Sequence, residues 1–65
     1  MILRMLRLKQ ELTQKQLAAK AKMSHAYLSN IETGKADPSL STLKRLAKAL
    51  GISVSELVKE PPSKK

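Results

Sequence analysis

The chain has 65 residues, of which 13 are Lys or Arg and 5 are Asp or Glu, so its formal net charge is +8. A chain this short forms one domain with a thin core, because it buries only about 60% of its unfolded surface. It has no cysteine, which excludes a disulfide framework and a thiol-based zinc site. The charge favours an anionic partner, nucleic acid or an acidic membrane surface, although it can also reflect no more than a solvated surface.

Apolar spacing and capping residues predict five helices and no strand, that is, an all-α fold. Leu and Ala dominate the apolar content, and the chain has only two glycines and one aromatic residue, a composition that favours helix over strand. The predicted helices cover residues 2–10, 13–21, 24–32, 39–50 and 53–59. They form one domain over residues 1–59, and the polar, proline-rich residues 60–65 are expected to be a flexible basic tail. No apolar run approaches the roughly 18 residues of a membrane span, so we expect a cytoplasmic protein.

Short polar residues mark where the predicted helices begin. Thr13 and Gln16 fit a capping box, in which each side chain accepts a hydrogen bond from the other residue's backbone N–H, and Ser53 and Glu56 fit a second. Gly34 is suited to the left-handed position that ends the third helix. The fourth helix carries a continuous apolar stripe, formed by Leu40, Leu43, Leu46, Ala47 and Leu50.

Residues 13–35 form two predicted short helices joined by a tight turn, a unit that packs two helices at a large angle. Its apolar positions are Leu17, Ala21, Met23, Leu28 and Ile31. At about 100° per residue, the second of these helices places four short side chains opposite Leu28 and Ile31. We call these four the polar face: His25, Ala26, Ser29 and Asn30. Such a face is unusual for a merely solvated surface and lets a helix approach base edges in the major groove, although His25 alone is more often an ordinary surface histidine.

Several motifs, in order along the chain, resemble the phage-repressor or Cro-type helix-turn-helix family, the lambda-repressor-like or xenobiotic-response-element regulators. The motifs are Arg7; Leu12-Thr13-Gln14 with Leu17-Ala18; Tyr27-Leu28-Ser29-Asn30-Ile31-Glu32-Thr33-Gly34-Lys35; Pro38-Ser39-Leu40; and Leu46-Ala47-Lys48-Ala49-Leu50-Gly51-Ile52-Ser53. The resemblance covers roughly residues 3–58. It implies a compact five-helix domain whose third helix, residues 24–32, enters the major groove of DNA.

The resemblance also implies a role for each residue that matches the family's motifs. It assigns base contacts to Ser24, His25, Ala26, Ser29 and Asn30. It assigns phosphate contacts to Gln14, Thr33 and Lys35. We interpret Tyr27 as a half-buried packing residue whose hydroxyl is free to touch a phosphate. The pair Arg7 and Glu32 is expected to be a structural ion pair that ties the first helix to the third.

The side-chain chemistry of the polar face agrees with base recognition. The Asn30 amide can bond adenine, His25 can donate to a guanine acceptor, and Ala26 can meet a thymine methyl group. The remaining basic residues, such as Lys44 and Arg45, are interpreted as a solvated face that adds diffuse attraction for DNA.

The chain departs from the family's pattern at two positions. Lys22 stands in the turn where the family usually has glycine, because that residue tends to adopt a positive φ. Glu11 stands where the family often has glycine after its first helix. A lysine with positive φ is expected to cost on the order of 1 kcal/mol.

We therefore expect a sequence-specific binder of double-stranded DNA that regulates transcription, with repression by operator occupancy as the default. It would be cytoplasmic and located at the nucleoid when bound. Because one module contacts few base pairs, a homodimer on a palindromic operator is expected, weak or formed only on DNA. The interface residues expected from the fifth helix, which could instead close the core, are Ile52, Val54, Leu57 and Val58.

Three other functions agree with parts of the sequence. An antitoxin or co-regulator would use the same fold mainly to bind another protein, although the segment from residue 59 onward is short for covering a toxin. A nonspecific DNA binder would follow from charge alone, but the polar face argues against it. An enzyme is not expected, because the chain has one histidine and no cysteine, and lacks paired carboxylates at catalytic spacing and a glycine-rich phosphate loop. No metal or cofactor is expected.

Overall fold

The computed structural model describes residues 2–58, which form five helices and no strand. The helices are α1 (Leu3–Lys9), α2 (Gln14–Lys20), α3 (His25–Thr33), α4 (Leu40–Leu50) and α5 (Val54–Leu57). The all-α prediction with five helices is therefore confirmed. The last helix is shorter than expected, since Val58 is already its C-terminal cap. The expected tail, residues 60–65, lies outside the described residues, as do both ends of the expected domain, Met1 and residue 59.

Hydroxyl groups fix the first residue of four of the helices. Thr13 Oγ1 accepts from the Gln16 backbone N–H at 3.0 Å, and Gln16 Oε1 accepts from the Thr13 N–H at 2.8 Å, which completes the capping box. Ser24 Oγ accepts from the Tyr27 N–H at 3.0 Å. Ser39 and Ser53 cap α4 and α5 in the same way. As a result, Gln14 is the first residue of α2 and His25 is the first residue of α3.

The core is built around one wholly buried leucine from each of α2 to α5. These leucines are Leu17, Leu28, Leu46 and Leu57. Burying such a side chain contributes about 1.5–3 kcal/mol to the free energy of folding. Leu3 of α1 is also buried, and the backbone N–H of Ile2 donates to the Leu57 carbonyl at 3.2 Å, so the start of α1 lies next to the end of α5.

The structure corrects two assignments made from apolar spacing. Leu40 is 60% exposed, so the buried stripe of α4 does not include it, and Thr42 takes a buried position on this helix instead. Leu40 is the first residue of α4, and its side chain lies beyond the edge of the small core. Leu57 is wholly buried within the monomer, so it closes the core and is not an interface residue.

Two residues with positive φ bracket α2. Glu11 and Lys22 each have φ 59°, in the left-handed region that glycine adopts more easily. The expected positive φ at Lys22 is therefore confirmed. Arg45 Nη1 donates to the Lys22 carbonyl at 3.1 Å and so holds the turn between α2 and α3 against α4. Arg45 is exposed, as expected for a solvated face, and this contact within the protein was not expected from the sequence.

No helix among residues 2–58 has both the length and the apolar character needed to cross a lipid bilayer.

The strain at Lys22 leads to a prediction about stability. We expect Lys22→Gly to stabilise the domain by up to about 1 kcal/mol, because glycine adopts positive φ without the clash of a Cβ. For a domain of this size, that corresponds to a rise in melting temperature of about 4–8 °C. Lys22→Ala is the matched control, since it removes the lysine side chain but keeps the Cβ. A glycine variant that melts below the alanine variant would show that the turn is not strained.

Candidate nucleic-acid interface

The third helix has a buried side and an exposed side. Leu28 and Ile31 lie in the core. Of the polar face, His25, Ala26 and Asn30 are exposed and Ser29 is half-buried, and the cap Ser24 is exposed as well. The four side chains of this face are short, so the α3 backbone can come close to an object placed against it. Their contacts with bases stay a prediction.

An ion pair joins α3 to α1. Arg7 Nε donates to Glu32 Oε2 at 2.7 Å and Arg7 Nη2 donates to Glu32 Oε1 at 3.0 Å, a bidentate geometry. Both side chains are buried, with 8% of the Arg7 side chain and 3% of the Glu32 side chain exposed. Arg7 Nη1 also donates to the Leu12 carbonyl at 2.9 Å, in the segment that leads into α2. The expected structural pair is thus in direct contact. Through Arg7 it connects α1 to α3 and to the segment that precedes α2.

The carboxylate of Glu32 is held in its ionised form. Burial opposes its ionisation, but hydrogen bonds from Arg7 and Gln14, together with the positive charges of Arg7 and Arg4, outweigh that effect. The pKa of Glu32 therefore lies below its usual value. The pair remains charged at neutral pH and acts as an anchor for the start of α2.

Gln14 connects this ion pair to the polar face. Its Nε2 donates to Glu32 Oε1 at 2.9 Å, and its Oε1 lies 3.0 Å from His25 Nε2. The family resemblance implies a phosphate contact for Gln14 and predicts neither of these bonds. The residues are 18 and 11 positions apart, so no local spacing signal in one sequence indicates them.

Three of the four expected phosphate contacts involve side chains that are already engaged within the protein. Both ends of the Gln14 amide are used, and the Thr33 hydroxyl donates to the Ser29 carbonyl at 3.1 Å. The Tyr27 hydroxyl lies 3.5 Å from Oγ1 of the buried Thr42, and its contact with a phosphate stays a prediction. Lys35 is exposed two residues after α3, and its backbone N–H donates to the Asn30 carbonyl at 2.8 Å.

The expected dimer residues have different surroundings. Ile52 and Val54 are partly buried and pack against the core, whereas Val58 is 46% exposed. Across residues 2–58, no three His, Asp or Glu side chains are grouped so that they could hold a metal ion.

A model of the helix-turn-helix family matches residues 3–57, nearly the whole described chain. The chain belongs to the helix-turn-helix family. It is 53% identical over 55 residues to an immunity repressor protein of Bacillus phage phi105, an alignment that covers 85% of this chain and 38% of that repressor. It is 45% identical over 53 residues to an uncharacterized HTH-type transcriptional regulator of Sinorhizobium fredii, covering 82% of this chain and 69% of the regulator.

A solved structure has the same fold as this helix-turn-helix domain. It is that of a hypothetical transcription factor from Neisseria, which superposes with a TM-score of 0.87 at 27% identity over 91% of this chain and 66% of that one. The chain thus spans well under half of the phage repressor but most of the smaller regulator. These similarities identify residues 3–57 as a DNA-binding domain of the type found in transcription regulators.

The lowered pKa of Glu32 predicts how stability depends on acid. A carboxyl group with a lowered pKa in the folded state contributes stability above its unfolded pKa, about 4.3 for Glu, and loses it as the pH falls through the folded pKa. Glu32→Gln removes this titration while it keeps the shape of the side chain. We therefore expect the variant to be less stable than the wild type at pH 7, with the difference shrinking below about pH 4. Denaturant unfolding at a series of pH values measures the stability of the wild type and of the variant. A stability difference that stays constant down to pH 3 would contradict the lowered pKa of Glu32.

Proposed function

We propose that this domain binds a specific sequence in double-stranded DNA, with α3 in the major groove, and represses transcription by occupying an operator. The observation that carries the proposal is the polar face of α3, exposed on a helix that the Arg7–Glu32 pair holds against α1. The relative named as an immunity repressor supports the direction of regulation. The proposal involves no catalytic step, cofactor or metal, and it places the protein in the cytoplasm at the nucleoid.

The net charge of +8 supports the same proposal through a separate physical effect. Lys and Arg side chains near phosphates release condensed counterions, which favours binding to any duplex and makes the affinity fall with salt. Lys35, at the end of α3, is exposed and so can reach a phosphate beside the groove that α3 would enter. Charge alone would give binding without sequence preference, so discrimination has to come from the polar face.

Selection of binding sites from a pool of random duplexes tests the function directly. A recovered consensus, bound much more tightly than scrambled duplex at the same salt concentration, is the expected result. Affinity that is independent of sequence and falls steeply with salt would leave only phosphate attraction. Absence of duplex binding at any salt would favour a protein-interaction module of the same fold.

A substitution on the polar face predicts a local effect on specificity. Asn30 is exposed, so its amide is available to a base edge. We expect Asn30→Ala to weaken binding to the selected consensus by about 1–3 kcal/mol and to relax one base position, with little change for nonspecific duplex. Ser55→Ala, an exposed serine on α5, is the control and should leave both affinities unchanged. Equal weakening on every sequence would show that Asn30 does not recognise a base.

We also propose that two copies bind a palindromic operator, with half-sites about one helical turn apart. Val58 is the exposed apolar residue of the expected interface, and Ile52 and Val54 are partly buried and pack against the core. Because Leu57 is buried, the surface available for self-association is small, which supports a dimer that is weak away from DNA.

The dimer proposal can be separated from DNA recognition by comparing duplexes with one and two half-sites. Two half-sites should be filled cooperatively, and Val58→Lys should reduce the cooperativity while it preserves affinity for a single half-site. Lysine is chosen because it adds positive charge, so weaker binding cannot come from repulsion of DNA. Independent filling of the two half-sites by the wild-type protein would contradict the dimer.

A further inference from the structure

A continuous set of hydrogen bonds runs from the buried ion pair to the first residue of the polar face. Glu32 Oε1 accepts from Arg7 Nη2 at 3.0 Å and from Gln14 Nε2 at 2.9 Å. The other end of the Gln14 amide, Oε1, lies 3.0 Å from Nε2 of His25. Each member of this set constrains the donor or acceptor role of the next.

The ionised carboxylate of Glu32 fixes the orientation of the Gln14 amide. A carboxylate can only accept hydrogen bonds, so the amide must turn its NH₂ group toward Glu32 and its oxygen away. An amide oxygen can only accept as well. His25 Nε2, which faces that oxygen, must therefore carry the proton. In the neutral imidazole the lone pair then lies on Nδ1.

The free nitrogen of His25 is thus an acceptor. His25 is an exposed residue at the start of α3, and its Nδ1 makes no hydrogen bond within residues 2–58. We propose that His25, in the tautomer selected by Gln14, accepts a hydrogen bond from the exocyclic amino group of adenine (N6) or cytosine (N4) in the major groove. Guanine presents only the acceptors N7 and O6 there, which an unprotonated Nδ1 cannot bond.

This proposal rests on the proposed DNA-binding function and reverses one expectation from the sequence. A histidine considered alone can donate to guanine, as the sequence analysis assumed. The contact with Gln14 uses that donor within the protein, at a distance of 3.0 Å. Gln14 is therefore a positioning residue: it determines which base partner His25 accepts without touching the base itself.

The tautomer can be tested without DNA. In protein labelled with ¹⁵N at histidine, the shifts of the two imidazole nitrogens at pH 8, where free imidazole is neutral, show which nitrogen carries the proton. The wild type should have the proton on Nε2, and Gln14→Met, of similar length but without an amide, should shift the population toward Nδ1 by about two- to twelvefold, the equivalent of one hydrogen bond. Protonation on Nδ1 in the wild type would overturn the proposal, and so would a population that Gln14→Met does not move.

The base partner is tested on the duplex recovered by site selection, at the same pH. His25→Ala identifies the base pair that His25 contacts, in which the expected partner is the base that carries the major-groove amino group, adenine or cytosine. Replacing that base by its analogue without the amino group (purine for adenine, 2-pyrimidinone for cytosine) should weaken wild-type binding by about two- to twelvefold. The same replacement should have no further effect on His25→Ala, and Gln14→Met should relax the preference at this position alone.

Two duplex results would count against the proposal. An unchanged affinity for the analogue would overturn it while leaving DNA recognition in place. Failure to recover any consensus would overturn the proposed function and this assignment together. Circular dichroism of Gln14→Met and His25→Ala confirms that each variant is folded; if Gln14→Met unfolds, the wild-type nitrogen shifts and the analogue measurement still decide the result.

Discussion

The guanidinium of Arg7 and the carboxylate of Glu32 meet in a nearly dry part of the domain, and three helices depend on that contact. Taking both ions out of water is costly, and the cost is offset only because their remaining hydrogen-bonding groups are also satisfied. Arg7 bonds the Leu12 carbonyl before α2, and Glu32 accepts from Gln14 at the start of α2. Removing either charge would leave the other ion buried without its partner and would remove hydrogen bonds that hold the start of α2 beside α3.

The sequence was sufficient to predict the fold, because its main determinants are local. Capping residues such as Thr13 and Ser24 act within three positions along the chain, and they set the phase of the helices that follow. Once the first residue of a helix is fixed, its period of 3.6 residues determines which side chains face the core. Leu28 and Ile31 lie in the core as this period predicts. The positive φ at Lys22 could be anticipated as well, but only through the resemblance to a family that has glycine there.

Features that depend on distant residues could not be predicted in this way. The Gln14 amide is engaged by Glu32 and His25, and the Tyr27 hydroxyl lies beside Thr42, 15 positions away. In each case a polar side chain that was expected to contact DNA has a hydrogen-bond partner within the protein. Periodicity indicates which residues are exposed, whereas the role of an exposed polar atom depends on its partners in space. The small size of the core also limits what periodicity can predict. Leu40 continues the apolar stripe of α4 in sequence, but it is exposed because the core does not extend that far.

The two left-handed residues on either side of α2, Glu11 and Lys22, affect how easily the domain can change its target. Both lie outside the polar face, and each retains strain that a glycine would relieve. Substitutions that alter the polar face usually destabilise a small domain, by amounts similar to the strain at one such position. A glycine at either position would offset that loss without a change in any residue of the polar face. Glycine at these two positions is thus a source of added stability that can offset the cost of substitutions on the polar face.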